Sequence, residues 1–135
     1  MEKIEELRMS HKELNVIKNE FEINSPYESC GVLIGTIYGN TANVEKAIPI
    51  TNIKRTRVSF ELDPMQLYNA WNDADKNGKE IVGIFHTHPN HSAVPSLWDR
   101  ETMNNTHLVW LIVGIDGMMV YILDDDIRSI KLDIK

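Results

Sequence analysis

The sequence has few of the features that mark secreted or membrane-bound proteins. Its 135 residues include one cysteine, Cys30, so an internal disulfide is excluded. The longest strongly apolar stretch, Leu108 to Ile115, is less than half of the ~20 residues that a membrane span needs. The first residues are charged throughout, without the apolar run of a signal peptide. We therefore expect a cytoplasmic protein with no membrane partner.

Positive charge is also scarce. Lysine and arginine together number 14 against 20 acidic residues, which gives a net charge of −6 and a pI of about 5.3. Because non-specific binding to a phosphate backbone needs a stripe of basic residues, the excess of acidic residues argues against a nucleic-acid partner. The one basic cluster is formed by Lys54, Arg55 and Arg57. It has two interpretations, a binding site for an acidic partner or an ordinary solvated surface.

The composition is that of a globular domain, with 42% hydrophobic and 25% charged residues. No internal repeat, low-complexity tract or linker divides the chain. Residues 1–135 are therefore predicted to form a single domain. Its oligomeric state is not indicated by the sequence.

Capping and turn signals predict helices and strands that alternate. Helices are predicted after Ser10, whose capping-box partner would be Glu13, after Asp63, and from Ser96 onward. Strands are predicted over 4–9, 29–38, 43–51, 58–62, 81–88, 107–114, 118–123 and 127–134, the last as an edge strand with one wet face. The fold class is therefore α/β, a mixed sheet with about three helices packed on it.

The most informative stretch is a predicted strand that ends in His86-Thr87-His88-Pro89. Side chains on a strand alternate, so the two imidazoles point to the same side, about 7 Å apart along the backbone. Pro89 ends the strand at this point, and sites tend to open at strand ends. His86 and His88 are therefore candidate ligands for one metal ion, although many His-x-His pairs at strand ends have no function.

A catalytic zinc usually has three protein ligands and one exchangeable water, and Asp99 is the best candidate for the third. It lies beyond a loop containing Pro89 and Pro95, in the first turn of the helix that Ser96 is predicted to cap. Two imidazoles and one carboxylate suit zinc better than magnesium or calcium. The plain alternative is that Ser96 and Asp99 form only a capping box.

Other residues near these motifs leave alternatives open. His91 would be a fourth ligand or a solvent-facing loop residue, and His11 and His107 have no metal-like spacing. Glu28 immediately precedes a predicted buried strand, where it would be a catalytic base or an exposed loop charge. Cys30 is expected to be a small buried apolar residue.

These residues resemble the pattern of the JAMM, or MPN-plus, zinc metalloproteases of the JAB1/MPN superfamily. That pattern is a glutamate near the N-terminus, then His-x-His, seven residues, Ser, two residues and Asp. Glu28 lies in Pro26 to Gly35, which looks like the family's P-x-E-x-C-G-x-L-x-G segment. The second part fits His86 to Asp99 without gap or substitution.

The resemblance implies a cytidine-deaminase-like fold, in which a mixed, curved sheet is flanked by helices. It implies Zn²⁺ as the cofactor, with His86, His88 and Asp99 as ligands. Glu28 would be the general acid and base, and Ser96 would help to stabilise the oxyanion.

The activity implied is hydrolysis of an amide bond at the C-terminal tail of a ubiquitin-like or sulfur-carrier protein, as a peptidase or isopeptidase. The compact chain resembles the prokaryotic type. The competing hypothesis is a non-catalytic MPN scaffold that binds partners, whose members typically lack one or more of the five motif residues. A DNA-repair relative has a similar motif, but the acidic charge counts against it.

Overall fold

The computed structural model describes residues 3–135, in which seven strands and three helices alternate. The elements are β1 (Glu6–Met9), α1 (His11–Asn24), β2 (Cys30–Tyr38), β3 (Thr41–Ile50), α2 (Pro64–Lys76), β4 (Glu80–Thr87), α3 (Leu97–Met103), β5 (Val109–Gly114), β6 (Gly117–Leu123) and β7 (Ile127–Ile134). The predicted mixed, curved sheet with three helices is confirmed. Within residues 3–135 there is no helix with the length and apolar character that crossing a bilayer requires.

The strands form one closed sheet in the order β1-β3-β2-β4-β5-β6-β7. Strand β1 is parallel to both β3 and β7 and thereby joins the two ends of the sheet. The prediction of an edge strand over 127–134 is therefore wrong. The alternating residues correctly predicted the solvent-exposed face of this strand. They could not show that β1, a strand of four residues near the N-terminus, would pair with its other edge.

Two pairings of β4 position the site described below. On one side β2 runs antiparallel to β4, with Cys30 opposite His86, so the beginning of β2 lies beside the end of β4. On the other side β5 is parallel to β4, and the connection between them contains α3. The end of β4 is thus flanked by the segment before β2 and by the segment that leads into α3.

The main core fills the inside of the closed sheet and includes Leu7, Leu33, Phe85 and Leu111, none of them measurably exposed. Two smaller clusters cover its outer face under the helices. One of them surrounds Trp110, and contains Cys30 and Met103. The sheet is therefore buried on both faces along β2 and β5, which explains their nearly continuous apolar sequences.

The helix ends partly follow the predicted signals. Asp63 caps α2, because its side chain accepts from the backbone N of Met65 and Gln66 at 2.9 and 3.1 Å. Ser10 precedes α1 but does not cap it; its hydroxyl donates to the Glu13 carboxylate instead. The predicted strand over 58–62 is wrong, since this stretch belongs to a loop with a single bridge between Asn52 and Leu62. The apolar residues Val58, Phe60 and Leu62 do alternate there, but Val58 is 63% exposed and Phe60 packs on the ring of His86, so the alternation marks a loop that lies over the site.

Candidate metal centre

The two predicted histidine ligands lie together at the end of β4. His86 is fully buried and His88 is 3% exposed, and their Nε2 atoms are 3.1 Å apart. The ring of His86 is stacked on Phe60 with centroids 4.6 Å apart and meets the edge of Trp110 at 5.5 Å. Because its Nδ1 has no hydrogen-bond partner among residues 3–135, the orientation of this ring depends on aromatic packing.

The orientation of His88 is set by hydrogen bonds. Its backbone N donates to the Val113 carbonyl at 2.7 Å, and its Nδ1 lies 2.9 Å from the Ser92 carbonyl oxygen. A carbonyl oxygen can only accept, so Nδ1 carries a proton, and whenever the ring is neutral its Nε2 presents a lone pair towards His86 and Asp99. A partner of this kind on the other ring nitrogen is typical of metal-binding histidines.

Asp99 reaches both histidines from the first turn of α3. Its Oδ1 lies 3.0 Å from His86 Nε2, and its Oδ2 lies 3.0 Å from His88 Nε2. A complete capping box holds it, because Asp99 N donates to Ser96 Oγ at 3.0 Å and Ser96 N donates to Asp99 Oδ2 at 2.9 Å. The capping box and the contact with the histidines are therefore both present. The capping box fixes the position of the Asp99 carboxylate that contacts the two histidines.

Electrostatics keeps Asp99 ionised. Burial tends to raise the pKa of its carboxyl, but hydrogen bonds with His86 and His88 outweigh burial and hold the pKa well below its usual range. Burial lowers the pKa of His86. Burial also acts to lower the pKa of His88, but its contacts with Asp99 and Ser92 raise it overall.

Glu28 approaches the histidine pair from the segment before β2. The sheet ladder continues past Cys30, since Thr87 N donates to the Ser29 carbonyl at 3.0 Å and Ser29 N donates to Thr87 Oγ1 at 2.8 Å. A carboxylate oxygen of Glu28 lies within 4.8 Å of ring nitrogens of His86 and His88. The residue is 3% exposed, and its Oε1 has no hydrogen-bond partner in the described part of the chain. Burial raises the pKa of this carboxyl to about 8.

A small cleft of about 260 Å³ opens on this cluster and is lined by Glu28, His88 and Ser96, with His91 at its wall. The Ser96 hydroxyl accepts the α3 capping bond and still borders the cleft. His91 is exposed and its ring centroid is 6.5 Å from that of His88, while His11 and His107 are exposed elsewhere. The cleft therefore gives an outside molecule access to both Glu28 and His88.

The donor set fits a divalent metal ion. Lone pairs of His88 Nε2 and the Asp99 carboxylate face each other at 3.0 Å, an unfavourable contact unless a cation or proton lies between them. Two imidazole nitrogens and a carboxylate oxygen are ligands typical of zinc. The unpaired Oε1 of Glu28 gives the centre a second, farther carboxylate that is free to bind a water molecule.

Three residues that support the centre were missed in the sequence. Phe60 stacks on His86, Asn52 donates its side-chain amide to the Glu28 carbonyl at 3.0 Å, and Thr87 accepts from Ser29. Of the three, only Thr87 could have been suspected from the sequence, because it lies between His86 and His88. Nothing in the sequence connects Phe60 or Asn52 with residues more than twenty positions away.

Cys30 behaves as the sequence suggested. Cys30 is 1% exposed, donates its thiol to the Ile50 carbonyl at 3.4 Å and has a pKa raised by burial to about 12, so it is a structural residue. Trp98 packs edge-on against Phe60 at 4.7 Å.

Comparison with known proteins identifies relatives over most of the chain. Residues 14–129 match the family model described as prokaryotic homologs of the JAB domain. A desampylase of Haloferax volcanii is 38% identical over 95 residues, which are 70% of this chain and 67% of that protein. A probable TtuB-protein conjugate cleaving protease of Thermus thermophilus is 28% identical over 102 residues, 75% of this chain and 65% of that protein.

Two further matches extend the comparison. A CysO-cysteine peptidase of Mycobacterium tuberculosis is 32% identical over 89 residues, covering 66% of this chain and 60% of that protein. The matches thus span about two thirds of the length of these curated relatives. A protein of Desulfitobacterium hafniense, known from a solution structure, superposes with a TM-score of 0.87 at 25% identity, covering 96% of this chain and 92% of that one.

Proposed function

The chain belongs to the family of prokaryotic homologs of the JAB domain, and we propose that it is a zinc-dependent peptidase or isopeptidase. Its proposed substrate is an amide bond at the C-terminal tail of a ubiquitin-like or sulfur-carrier protein. The names of the relatives support this class, because one cleaves conjugates of the protein TtuB and another is a peptidase for CysO-cysteine. Each of these two names refers to a bond between a named protein and another group.

His86, His88 and Asp99 are the proposed zinc ligands, since their donor atoms converge within 3.1 Å of one another. When bound, zinc acts as a Lewis acid and lowers the pKa of a water molecule towards neutral pH. The observation that carries the proposal is the convergence of this donor set with a buried carboxylate, Glu28, that has an unpaired oxygen.

The remaining chemistry comes from Glu28 and Ser96. Glu28 is proposed to accept a proton from the attacking water and to donate it to the departing nitrogen, because both exchanges need a carboxyl group held in the cleft. In the metal-free protein, burial raises the pKa of this carboxyl to about 8. The Ser96 hydroxyl borders the cleft and is proposed to stabilise the negative charge that develops on the carbonyl oxygen.

The same cleft could serve a scaffold that binds partners without catalysis. The family's five motif residues, Glu28, His86, His88, Ser96 and Asp99, are all present, and this supports the enzyme. A scaffold would need no buried, unpaired carboxylate, which costs free energy of folding.

Metal analysis and a cleavage assay on the same preparation test the proposal. We expect about one zinc per chain, and cleavage of a diglycine-linked ubiquitin-like fusion that stops when a chelator is added and returns with zinc. As a matched control, His91→Ala removes an exposed histidine beside the cleft and should keep the metal. A protein that folds, takes up no zinc when it is supplied and cleaves nothing would support the scaffold instead.

A further inference from the structure

A second cavity shares Glu28 with the cleft but contains none of the other proposed site residues. It has a volume of about 340 Å³, and its wall includes Tyr27, Asn52, Arg55 and Gln66. Most of these side chains are polar, in contrast to an apolar packing defect. Glu28 therefore lines two spaces: one that it shares with His88 and Ser96, and one that it shares with Arg55.

Arg55 is the cation of this cavity. Its Cζ atom lies 4.8 Å from the centroid of the Tyr27 ring, a cation–π contact that orients the guanidinium. It has no ion pair with any residue of 3–135, although Glu20 lines the same cavity. Lys54 and Arg57, its basic neighbours on the loop, do not line the cavity. The structure thus separates Arg55 from the rest of the basic cluster.

The loop that carries Arg55 is tied to the backbone of Glu28. Glu28 N donates to the Thr56 carbonyl at 3.2 Å, and the Asn52 side-chain amide donates to the Glu28 carbonyl at 3.0 Å. The Asn52 side-chain oxygen also accepts from the backbone N of Lys54 and Glu61, at 3.1 and 3.0 Å. These bonds hold Arg55 and Glu28 in a defined relative position.

We propose that this second cavity receives the leaving group and that Arg55 binds the α-carboxylate of a C-terminal amino acid. This inference rests on the proposed function and narrows it to removal of a C-terminal residue from a ubiquitin-like or sulfur-carrier protein. Arg55 is therefore a specificity-determining residue. The isopeptide bond to a lysine side chain is the poorer substrate.

The proton that Glu28 delivers determines where the departing group must lie. Hydrolysis breaks the carbon–nitrogen bond, the acyl carbon gains the water oxygen as a carboxylate, and the departing nitrogen gains the proton that Glu28 delivers. The departing group must therefore touch Glu28. Besides the cleft that contains His88 and Ser96, Glu28 lines the cavity that contains Arg55, so this cavity is the second space next to the residue that delivers the proton.

The chemistry of the departing group then selects between substrates. A terminal amino acid carries its carboxylate one carbon away from the departing nitrogen, whereas a lysine ε-amine has only methylene groups there. A guanidinium binds a carboxylate through two parallel, charge-assisted hydrogen bonds. An arginine that has no ion pair within residues 3–135 and shares a cavity with Glu28 thus fits a free C-terminus and contributes nothing to a lysine side chain.

Three forms of one substrate test this inference. The probes are a diglycine-ended ubiquitin-like protein from the same source extended by one alanine, the same protein ending in alaninamide, and its conjugate to a lysine peptide. The native protein should cleave the free acid with a kcat/KM at least about tenfold above that for the amide. Arg55→Ala should remove this preference by lowering only the free-acid rate, and Arg55→Lys should restore part of it.

The amide serves as an internal control for folding, because its cleavage by Arg55→Ala should equal that by the native protein. Lys54→Ala and Arg57→Ala are matched controls on the same loop and should keep the preference for the free acid. Equal cleavage of acid and amide by the native protein would overturn the inference while leaving the proposed function intact. So would an equal loss in all three loop variants, which indicates a general contact with an acidic partner. No cleavage of any probe by the native protein would overturn both.

Discussion

Two carboxylates flank the histidine pair, one at the beginning of α3 and one before β2, and their surroundings differ. Asp99 contacts both imidazoles and the Ser96 backbone N, which keeps the pKa of its carboxyl far below the usual range. Glu28 is also almost completely buried, but its Oε1 has no hydrogen-bond partner within residues 3–135, and burial raises the pKa of its carboxyl to about 8. One group is held ionised, and the other is able to exchange a proton near neutral pH.

This difference suggests how similar side chains acquire different roles in one site. A carboxylate fixed by a helix cap and two imidazoles is suited to hold a cation, because it stays charged and does not move. A carboxylate buried without partners is suited to carry a proton. The surroundings, more than the residue type, separate the two proposed roles.

Changing Glu28 to Gln should have the largest effect. The amide has nearly the same shape but cannot carry the proton, so we expect kcat to fall by about 10²- to 10⁴-fold. The zinc content should not change, because Glu28 is not a proposed ligand. Glu22→Gln, on the exposed face of α1, is the control. A variant that keeps full activity would assign the proton transfer to another group.

Changing Asp99 to Asn should instead act on the metal. Loss of the charged ligand is expected to weaken zinc affinity by at least about 10- to 100-fold, as removal of even an outer-shell partner does. Titration with a chelator of known affinity measures this directly. Glu101→Gln, an exposed acid on the same helix, should leave the affinity unchanged. If Asp99→Asn and Glu28→Gln weaken binding equally, the proposed division of roles is wrong.

The raised pKa of Glu28 predicts a pH-dependent stability in metal-free protein. The carboxyl ionises above about pH 4.5 when unfolded but only near pH 8 when folded, so its burial costs stability increasingly over this interval. Glu28→Gln should therefore be the more stable protein at pH 8 and differ less at pH 5, and the gap should widen by about 3 to 4 kcal/mol between these pH values, because a shift from 4.5 to about 8 is worth about 1.4 kcal/mol per pKa unit. Urea unfolding with a chelator present measures the difference. A gap that does not change with pH would contradict the assignment.

Ser96 should show the smallest effect on stability. Ser96→Ala removes the α3 cap and is expected to lower the free energy of unfolding by about 1 kcal/mol, while Ser96→Thr keeps the bond and most of the stability. Thermal unfolding of the zinc-bound variants gives the stability, and kcat is measured in parallel. If Ser96 acts on the oxyanion, the rate lost by Ser96→Ala exceeds the loss that zinc release explains. A rate that follows zinc content alone would reduce Ser96 to a cap.

Much of the fold could be predicted from the sequence, because the residues that begin helices and form turns act on the backbone within a few positions. Asp63 and Pro64 mark the beginning of α2, and Asp116-Gly117 marks the turn between β5 and β6, each through backbone chemistry within a few residues. The family and the enzyme class were predicted from the resemblance of the motif residues to a known pattern, and the match to the family model and the relatives confirms the family. The ligand set and the catalytic residues remain predictions, which the experiments above test.

The sequence by itself determined which side chains alternate on β4 and which helix turn carries Asp99, since both depend only on neighbouring residues. Tertiary structure alone decided that β1 closes the sheet, that Phe60 stacks on His86, and that Arg55 lies in a cavity beside Glu28. The physical reason is that strand pairing and aromatic packing join residues far apart in the chain. Such contacts depend on the free energy of the whole core and leave no periodic signal in the sequence.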